Sequence, residues 1–584
     1  MGLTLAAYWP SFNASFQWDD IGSVVENNYI KIKDFSLPSI LNAAFQDRRQ
    51  NRPLANLSLA VNYYFNQLDP FGYHLVNFFG LVITALGIWL LLRKLFLRVG
   101  YDPFRAGLAA WLVSLIWAVH PVNIQAVTYI VQREASFAGA FSIWSIYFFH
   151  LGMERKGKGF FLFILSGLFC VFALLCKETA ATLPAMILAY KVYFWDELRP
   201  GWLKLNFKWI VALAIICLTA GSIMLRPSMI KLLLESYPAI EFSQWQRSLT
   251  ELNILIWYLF IIIFPFPQFL SIVHRFPIST SIIEPPYTIF AFLAILIVIV
   301  IALWQARNWR LFSFAVLWYL GQLLVEALPL PVDPLNEYRL YLASLAIIVP
   351  AVAGPVLKNK KLPLVVCWVM IIACFFAGFT WHRNQVWLTK DSLLKDAVSK
   401  SPGSLRAWFL YCEALGKAQK CRSVEYPCAL GAEAMPNYYL PHQIVGECYL
   451  KAGKLENAER ALLKAYELNL SDKSTCNDLA LLYNLRKDYE RAAKFYQIII
   501  IVDPSDAQAH FNLASDYKNL GKEEDEIREL KETLKLAPDW KRARRELASA
   551  LVKKGNCSEA VDLIKSAPAY DRNFEQILSP CRQR

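Results

Sequence analysis

The apolar residues of this 584-residue chain are unevenly spread, and that spread limits its fold more than any motif does. From about residue 74 to 382 they fall in long runs with few charges, whereas crossing a bilayer takes about 20 residues. Beyond about residue 400 the chain is charged, polar and helix-prone. Charged residues make up 18% of the whole and hydrophobic ones 56%, against about 25% charged in an ordinary soluble domain. The pattern predicts an all-α protein in two parts. A polytopic membrane helix bundle fills 1–385, with about 11–12 segments, and a soluble domain fills 386–584.

Spans are expected near 74–97, 104–120, 135–152, 159–176, 182–195, 208–225, 251–270, 287–305, 310–330, 339–357 and 362–381. Met1–Phe16 is apolar but too short to cross alone, and it has neither the basic flank nor the cleavage site of a signal peptide. It is expected to be part of a first span. The net charge of +13 does not imply nucleic acid as a partner. Its basic residues gather in short loops between spans (Arg93, Lys94, Arg98, Arg105; Arg155, Lys156, Lys158; Lys358, Lys360, Lys361), which is the positive-inside pattern. That pattern puts these loops in the cytoplasm. Loop 17–73, His120–Arg133, Lys177–Glu178, Asp333–Arg339 and the soluble domain then lie outside. By the same count both flanks of 251–270 are external. That segment is therefore re-entrant or broken near Pro265 and Pro267, unless one span is miscounted.

The soluble part repeats. Pro402, Pro436, Pro504 and Pro538 fall on one 34-residue grid, with Leu470 in the remaining slot. Tyr449, Tyr483 and Tyr517 share the period, as do Ala480, Ala514 and Ala548. Small residues where two helices cross, with Pro closing the second helix, mark about five tetratricopeptide repeats. Such arrays stack helix pairs into a superhelix with a concave binding face. The repeat opening near Arg406 keeps Trp408 but is degenerate and Cys-rich. The 12 Cys match no zinc spacing, and those of the soluble part can pair only in an oxidising compartment.

Several polar residues are expected on one outer face. Asp19 and Asp20 follow Trp18 at a junction between membrane and loop. His120 and Arg133 bracket a Pro-broken segment. Lys177 and Glu178 lie between two apolar runs, where charge is costly unless paired or facing a wet cavity. Glu337 and Arg339 open a further span; Arg52 and His74 are secondary candidates. Caps, interfacial anchors and ion pairs account for each one separately. Together they suggest cations (Arg133, Lys177, Arg339 and His120) holding a lipid-linked phosphate, which Arg suits through its forked donors. A carboxylate would then activate a hydroxyl acceptor, while the spans offer a groove to a polyprenyl tail.

At these residues the chain resembles the transmembrane and tetratricopeptide-repeat glycosyltransferases of the GT-C class, relatives of protein O-mannosyltransferases. The similar stretches are FQWDD (16–20), NRPLANLSLAVNYYFNQLDPFGYHLVN (51–77), HPVNIQAVTYIVQR (120–133), KETAATLP (177–184), EYRLYLAS (337–344) and WHRNQVWLTKDSLLKDAVSKSP (381–402). The resemblance implies a GT-C-type membrane fold whose first external loop carries a catalytic acid, here Asp19 with Asp20 second. It also implies a polyprenyl-phosphate sugar as donor and a protein hydroxyl as acceptor. No cofactor is certain; a divalent cation on Asp19 and Asp20 is possible through oxygen ligands, although no third ligand stands out.

The expectation is an integral-membrane hexosyltransferase acting on the extracytoplasmic side, its repeats recruiting an acceptor protein or a partner. The setting is a bacterial inner membrane with periplasmic repeats, or alternatively the endoplasmic reticulum. The competing readings are a membrane-anchored repeat scaffold for envelope or pilus assembly and, third, a transporter of lipid-linked sugars.

Overall fold

A computed structural model describes residues 1–46, 52–155, 158–196, 243–327, 335–402 and 436–565, with scattered positions in 198–211, 404–411 and 577–581 and at 333. The described residues are helical and form no strand, and they fall into two compact units, 1–400 and 401–584.

The first unit begins with short helices α1 (Gly2–Tyr8), α2 (Leu37–Phe45) and α3 (Pro53–Asn66) around the first loop. Then come α4 (Pro70–Arg98), α5 (Pro103–Ala118), α6 (Ile124–Val127), α7 (Arg133–Glu154), α8 (Phe160–Cys176) and α9 (Leu183–Phe194). Asp69 and Asp102 start α4 and α5 by accepting from the N–H groups of Phe71 and Arg105. In each case Pro takes the first helical position, where no N–H is needed. Pro121 bends the chain by 56° after α5, giving a broken pair.

The bundle continues through α10 (Gln244–Ile263), α11 (Tyr287–Trp304), α12 (Arg310–Leu323), α13 (Leu340–Ala343), α14 (Leu345–Lys358), α15 (Leu362–Val386) and α16 (Lys390–Lys400). Every expected span has a helix over much of its length except 208–225, which lies almost wholly outside the described residues. Among the described residues four helices are long and apolar enough to cross a membrane, or up to six if each bent pair is one span.

The helix expected at 251–270 starts earlier and stops before Pro265. A Ser243–Gln246 capping box opens it at Gln244, and it closes at Ile263. Both its ends bond to the same end of the bundle. Arg247 donates to the Glu326 carbonyl at 3.1 Å, Tyr258 to the Asn336 carbonyl at 3.0 Å, and the His120 ring meets the Ile262 carbonyl at 2.9 Å. Glu326, Asn336 and His120 all follow or precede helices at that one end. Helix α10 therefore lies along it, which leaves both flanks of the segment on one side.

The expected boundary at 385/386 falls inside the first unit, which continues to Lys400. Ion pairing explains the extension of the unit. Arg383 on α15 pairs with Asp396 on α16. Lys400 donates to the carbonyls of Pro267 and Leu270 at 2.7 and 2.8 Å, which fastens α16 down.

The second unit holds helix pairs α17 (Tyr439–Lys451) and α18 (Leu455–Leu468), α19 (Lys473–Leu485) and α20 (Tyr489–Val502), α21 (Ala507–Asn519) and α22 (Glu523–Leu536), and α23 (Lys541–Lys554) and α24 (Cys557–Lys565). Successive first helices begin at 439, 473, 507 and 541, so the 34-residue sequence period is a structural period. The turn inside each pair needs a left-handed residue. Gly453, Gly521 and Gly555 supply it at φ +73°, +72° and +86°, and Lys487 takes the same slot at +61°. The degenerate repeat near Arg406 falls mostly outside the described residues.

Candidate functional site

The end of the first unit opposite the basic loops gathers charge from five places in the sequence: loop 17–69, the 129–134 turn, the 177–182 turn, the segment after α12, and the 333–339 segment. Around Arg52 the geometry is a clamp. Its guanidinium takes Glu178 through Nε at 3.0 Å and a second donor, and it pairs with Glu134, which is almost wholly buried. Burial raises the Glu178 carboxyl, but Arg52 outweighs it by charge and hydrogen bonds and holds it down to about 2. Burial likewise works against the Arg52 charge, yet Glu134 and Glu178 keep it well above its ordinary value.

Lys177 and Arg339 meet at one carboxylate. Lys177 Nζ lies 3.3 Å from Glu326 and 4.0 Å from the centre of the Tyr338 ring. Arg339 pairs with Glu326, approaches Glu251 at 3.7 Å and donates to the Asp333 carbonyl at 2.7 Å. Glu251 in turn is 3.8 Å from Arg247. Lys177 and Glu178 are adjacent in the chain, so the two clusters meet at the 177–182 turn. Lys177, Glu326, Tyr338 and Arg339 line a cavity of about 40 Å³, enough for water but not for a sugar.

Asp19 and Asp20 divide their work. A tight turn, closed by Asp20 N–H to the Gln17 carbonyl at 2.7 Å, passes through Trp18 at φ +35°. It leaves Asp19 exposed and Asp20 buried. Each Asp20 oxygen accepts a backbone N–H, from Gln17 at 2.9 Å and Val131 at 2.8 Å. Asp20 thus staples the first loop to the 129–134 turn. Asp19 N–H donates to the Tyr129 hydroxyl at 2.9 Å, and the Asp19 carboxylate lies at the surface of the same turn.

Other sequence candidates serve as braces here. Arg133 is fully buried and donates to Asn77 Oδ1 at 2.7 Å, to the Ser58 carbonyl at 3.1 Å and to the Tyr73 carbonyl at 3.0 Å. That spread over neutral acceptors ties α3 and α4 to α7. His120 joins the end of α5 to the end of α10, and His74 meets the Ala14 carbonyl at 3.0 Å. Glu337 accepts from Ser271 N–H at 2.6 Å and lies 2.9 Å from His274, which positions the chain after α10. The structure therefore unites Arg52, Lys177, Glu178 and Arg339. Arg133 braces the 129–134 turn and Asp20 bonds to it from the first loop. Among the described residues no three His, Cys, Asp or Glu side chains converge as metal ligands, and both Asp20 oxygens are already engaged.

Sequence reasoning missed Glu134, Glu251 and Glu326. The signal was available. Each is an acid beside or inside an apolar run, where charge is costly without a partner. The rule that singles out Lys177 and Glu178 applies to them equally.

Fold and site together define an all-α, multi-pass membrane protein with an ion-pair network at one end of its bundle and a tetratricopeptide array after it. The chain is similar to transmembrane and tetratricopeptide-repeat protein O-mannosyl-transferases. It is 23% identical to human TMTC3 over 545 residues, 89% of this chain and 53% of that one. It is 28% identical to Drosophila melanogaster Tmtc3 over 221 residues, 34% of this chain and 24% of that one. With human TMTC2 it shares 30% over 211 residues, again 34% and 24%. The chain thus spans about half the length of these relatives, or less. No family model matches. Solved structures similar to it include MamA from Desulfovibrio magneticus RS-1, with 15% identity, a TM-score of 0.26, and coverage of 31% of this chain and 96% of that one. Another is YrrB, described as a TPR protein with an unusual peptide-binding site, with 11% identity, a TM-score of 0.28, and coverage of 33% and 98%.

Proposed function

We propose that the protein is an integral-membrane glycosyltransferase. It moves a hexose, mannose in the named relatives, from a polyprenyl-phosphate donor to a protein hydroxyl on the extracytoplasmic side. The observation that carries this reading is the similarity to human TMTC3, which runs through 89% of the chain and so takes in both the membrane unit and the repeats. The gathering of Lys177 and Arg339 on one carboxylate supports a phosphate site there. A donor phosphate would take the place of Glu326 at Lys177, the more loosely held of the two cations. Asp19, exposed at the edge of the same end, would accept the proton of the attacking hydroxyl as its oxygen bonds to the sugar's anomeric carbon. The anomeric carbon–oxygen bond to phosphate then breaks, and the phosphate keeps the electron pair next to Lys177 and Arg339. The Cys557–Cys581 disulfide in the repeat unit suits an oxidising compartment. The repeats would recruit the acceptor.

The test is Asp19→Asn, expressed and inserted at the wild-type level, with O-linked hexose on Ser and Thr read by mass spectrometry of secreted proteins. Loss of transfer is expected. Unchanged transfer removes Asp19 from the reaction. If Lys177→Met and Arg339→Met are also silent, the transferase reading fails and an anchored scaffold remains.

A further inference from the structure

A second site lies at the other end of the same helices. A cavity of about 740 Å³ opens between α4, α7, α12 and α14, within the range of about 300–1,000 Å³ of sites that enclose a small ligand. Its walls are apolar, with Leu92, Ile146, Phe314 and Ala353 among them. Its mouth is basic. Arg307 precedes α12 and Lys358 ends α14, so these two cations share one rim, and no Asp or Glu is among the described residues that line the cavity. Trp309, 57% exposed on the same turn, is an aromatic of the type that settles at a membrane interface. Helix α12 starts at this rim and ends toward Glu326, so the mouth and the Lys177 cluster lie at opposite ends of the bundle.

We propose that this cleft binds an anionic phospholipid from the leaflet on the basic-loop side, with acyl chain in the cavity and phosphate at Arg307 and Lys358. Charge complementarity selects the occupant. An apolar cavity takes a chain, and a rim that carries Arg307 and Lys358, with no acid among its described lining residues, takes the head group that inner-leaflet phospholipids carry. A zwitterionic head group gains less there, because its ammonium meets like charge. The donor's phosphate is not the occupant, since its reaction belongs to the opposite end.

The full chain in phosphatidylcholine nanodiscs, with and without phosphatidylglycerol, tests this by thermal unfolding and by native mass spectrometry of retained lipid. Phosphatidylglycerol should raise the unfolding temperature and stay bound. Arg307→Gln with Lys358→Gln should weaken retention about five-fold for each cation removed, while Arg307→Lys should keep it. Gly354→Leu narrows the cavity and should weaken retention of the lipid; a Cβ built at Gly354 meets nothing within 4 Å. If the double charge variant fails to insert, Gly354→Leu decides alone. Equal retention of the two lipids overturns the proposal, as does wild-type retention by Gly354→Leu, or preference for polyprenyl phosphate over phosphatidylglycerol.

Discussion

Replacing Arg52 with Met removes the cation that two carboxylates share while keeping most of the side-chain bulk. Glu134 is left 4% exposed and Glu178 32% exposed, both facing a position without charge. Breaking a buried ion pair from one side costs about 3–5 kcal/mol. Glu178 can turn partly to water, so the expected loss is near the lower figure, about 3 kcal/mol. The pH dependence supplies a second reading. In the wild type the Glu178 carboxyl is held down to about 2. Its contribution is therefore full above the ordinary carboxylate range and is lost as pH falls toward 2. In Arg52→Met burial is opposed only by Lys177 and a backbone hydrogen bond, so the loss of stability toward acid should be smaller than in the wild type. Unfolding of the detergent-solubilised chain, followed by fluorescence-detected size exclusion after heating, measures both effects. A double-mutant cycle with Glu178→Gln isolates the pair. An Arg52→Met variant within about 0.5 kcal/mol of wild type, or one equally destabilised whether or not Glu178 is present, would refute the clamp.

Lys487→Gly should stabilise the repeats by about 0.5–1 kcal/mol, because Lys487 occupies a left-handed slot that glycine fills in the neighbouring repeats; denaturant titration measures this, and a loss of stability would contradict it. Asp516 is buried on α21, and burial pushes its carboxyl up to about 7 against a hydrogen bond from Asn484. Asp516 should thus contribute stability in acid that is lost as pH rises through about 7, a contribution that Asp516→Asn should remove from thermal melts across that range. Cys557→Ser should cost the last repeat about 2–4 kcal/mol, seen as earlier proteolysis at the C-terminal end; equal protease resistance would mean that the disulfide to Cys581 does not form.

Much of the architecture was legible in the sequence because its signals are local and periodic. Apolar length marks spans, and a 34-residue recurrence of Ala480, Ala514 and Ala548 marks stacked helix pairs whose crossings admit only small side chains. Capping by Asp69 and Asp102 with Pro in the next position reads directly from four residues. The charged candidates were legible as a set, since ions in apolar runs must find partners. Which partner each one finds is a matter of distance between segments remote in the chain. Only the tertiary structure could give Arg52 to Glu134 and Glu178, set Lys177 and Arg339 on Glu326, and spend Arg133 on neutral acceptors. It alone turned Asp20 inward and Asp19 outward, because two adjacent identical residues carry no sequence information about which side of a turn each will face.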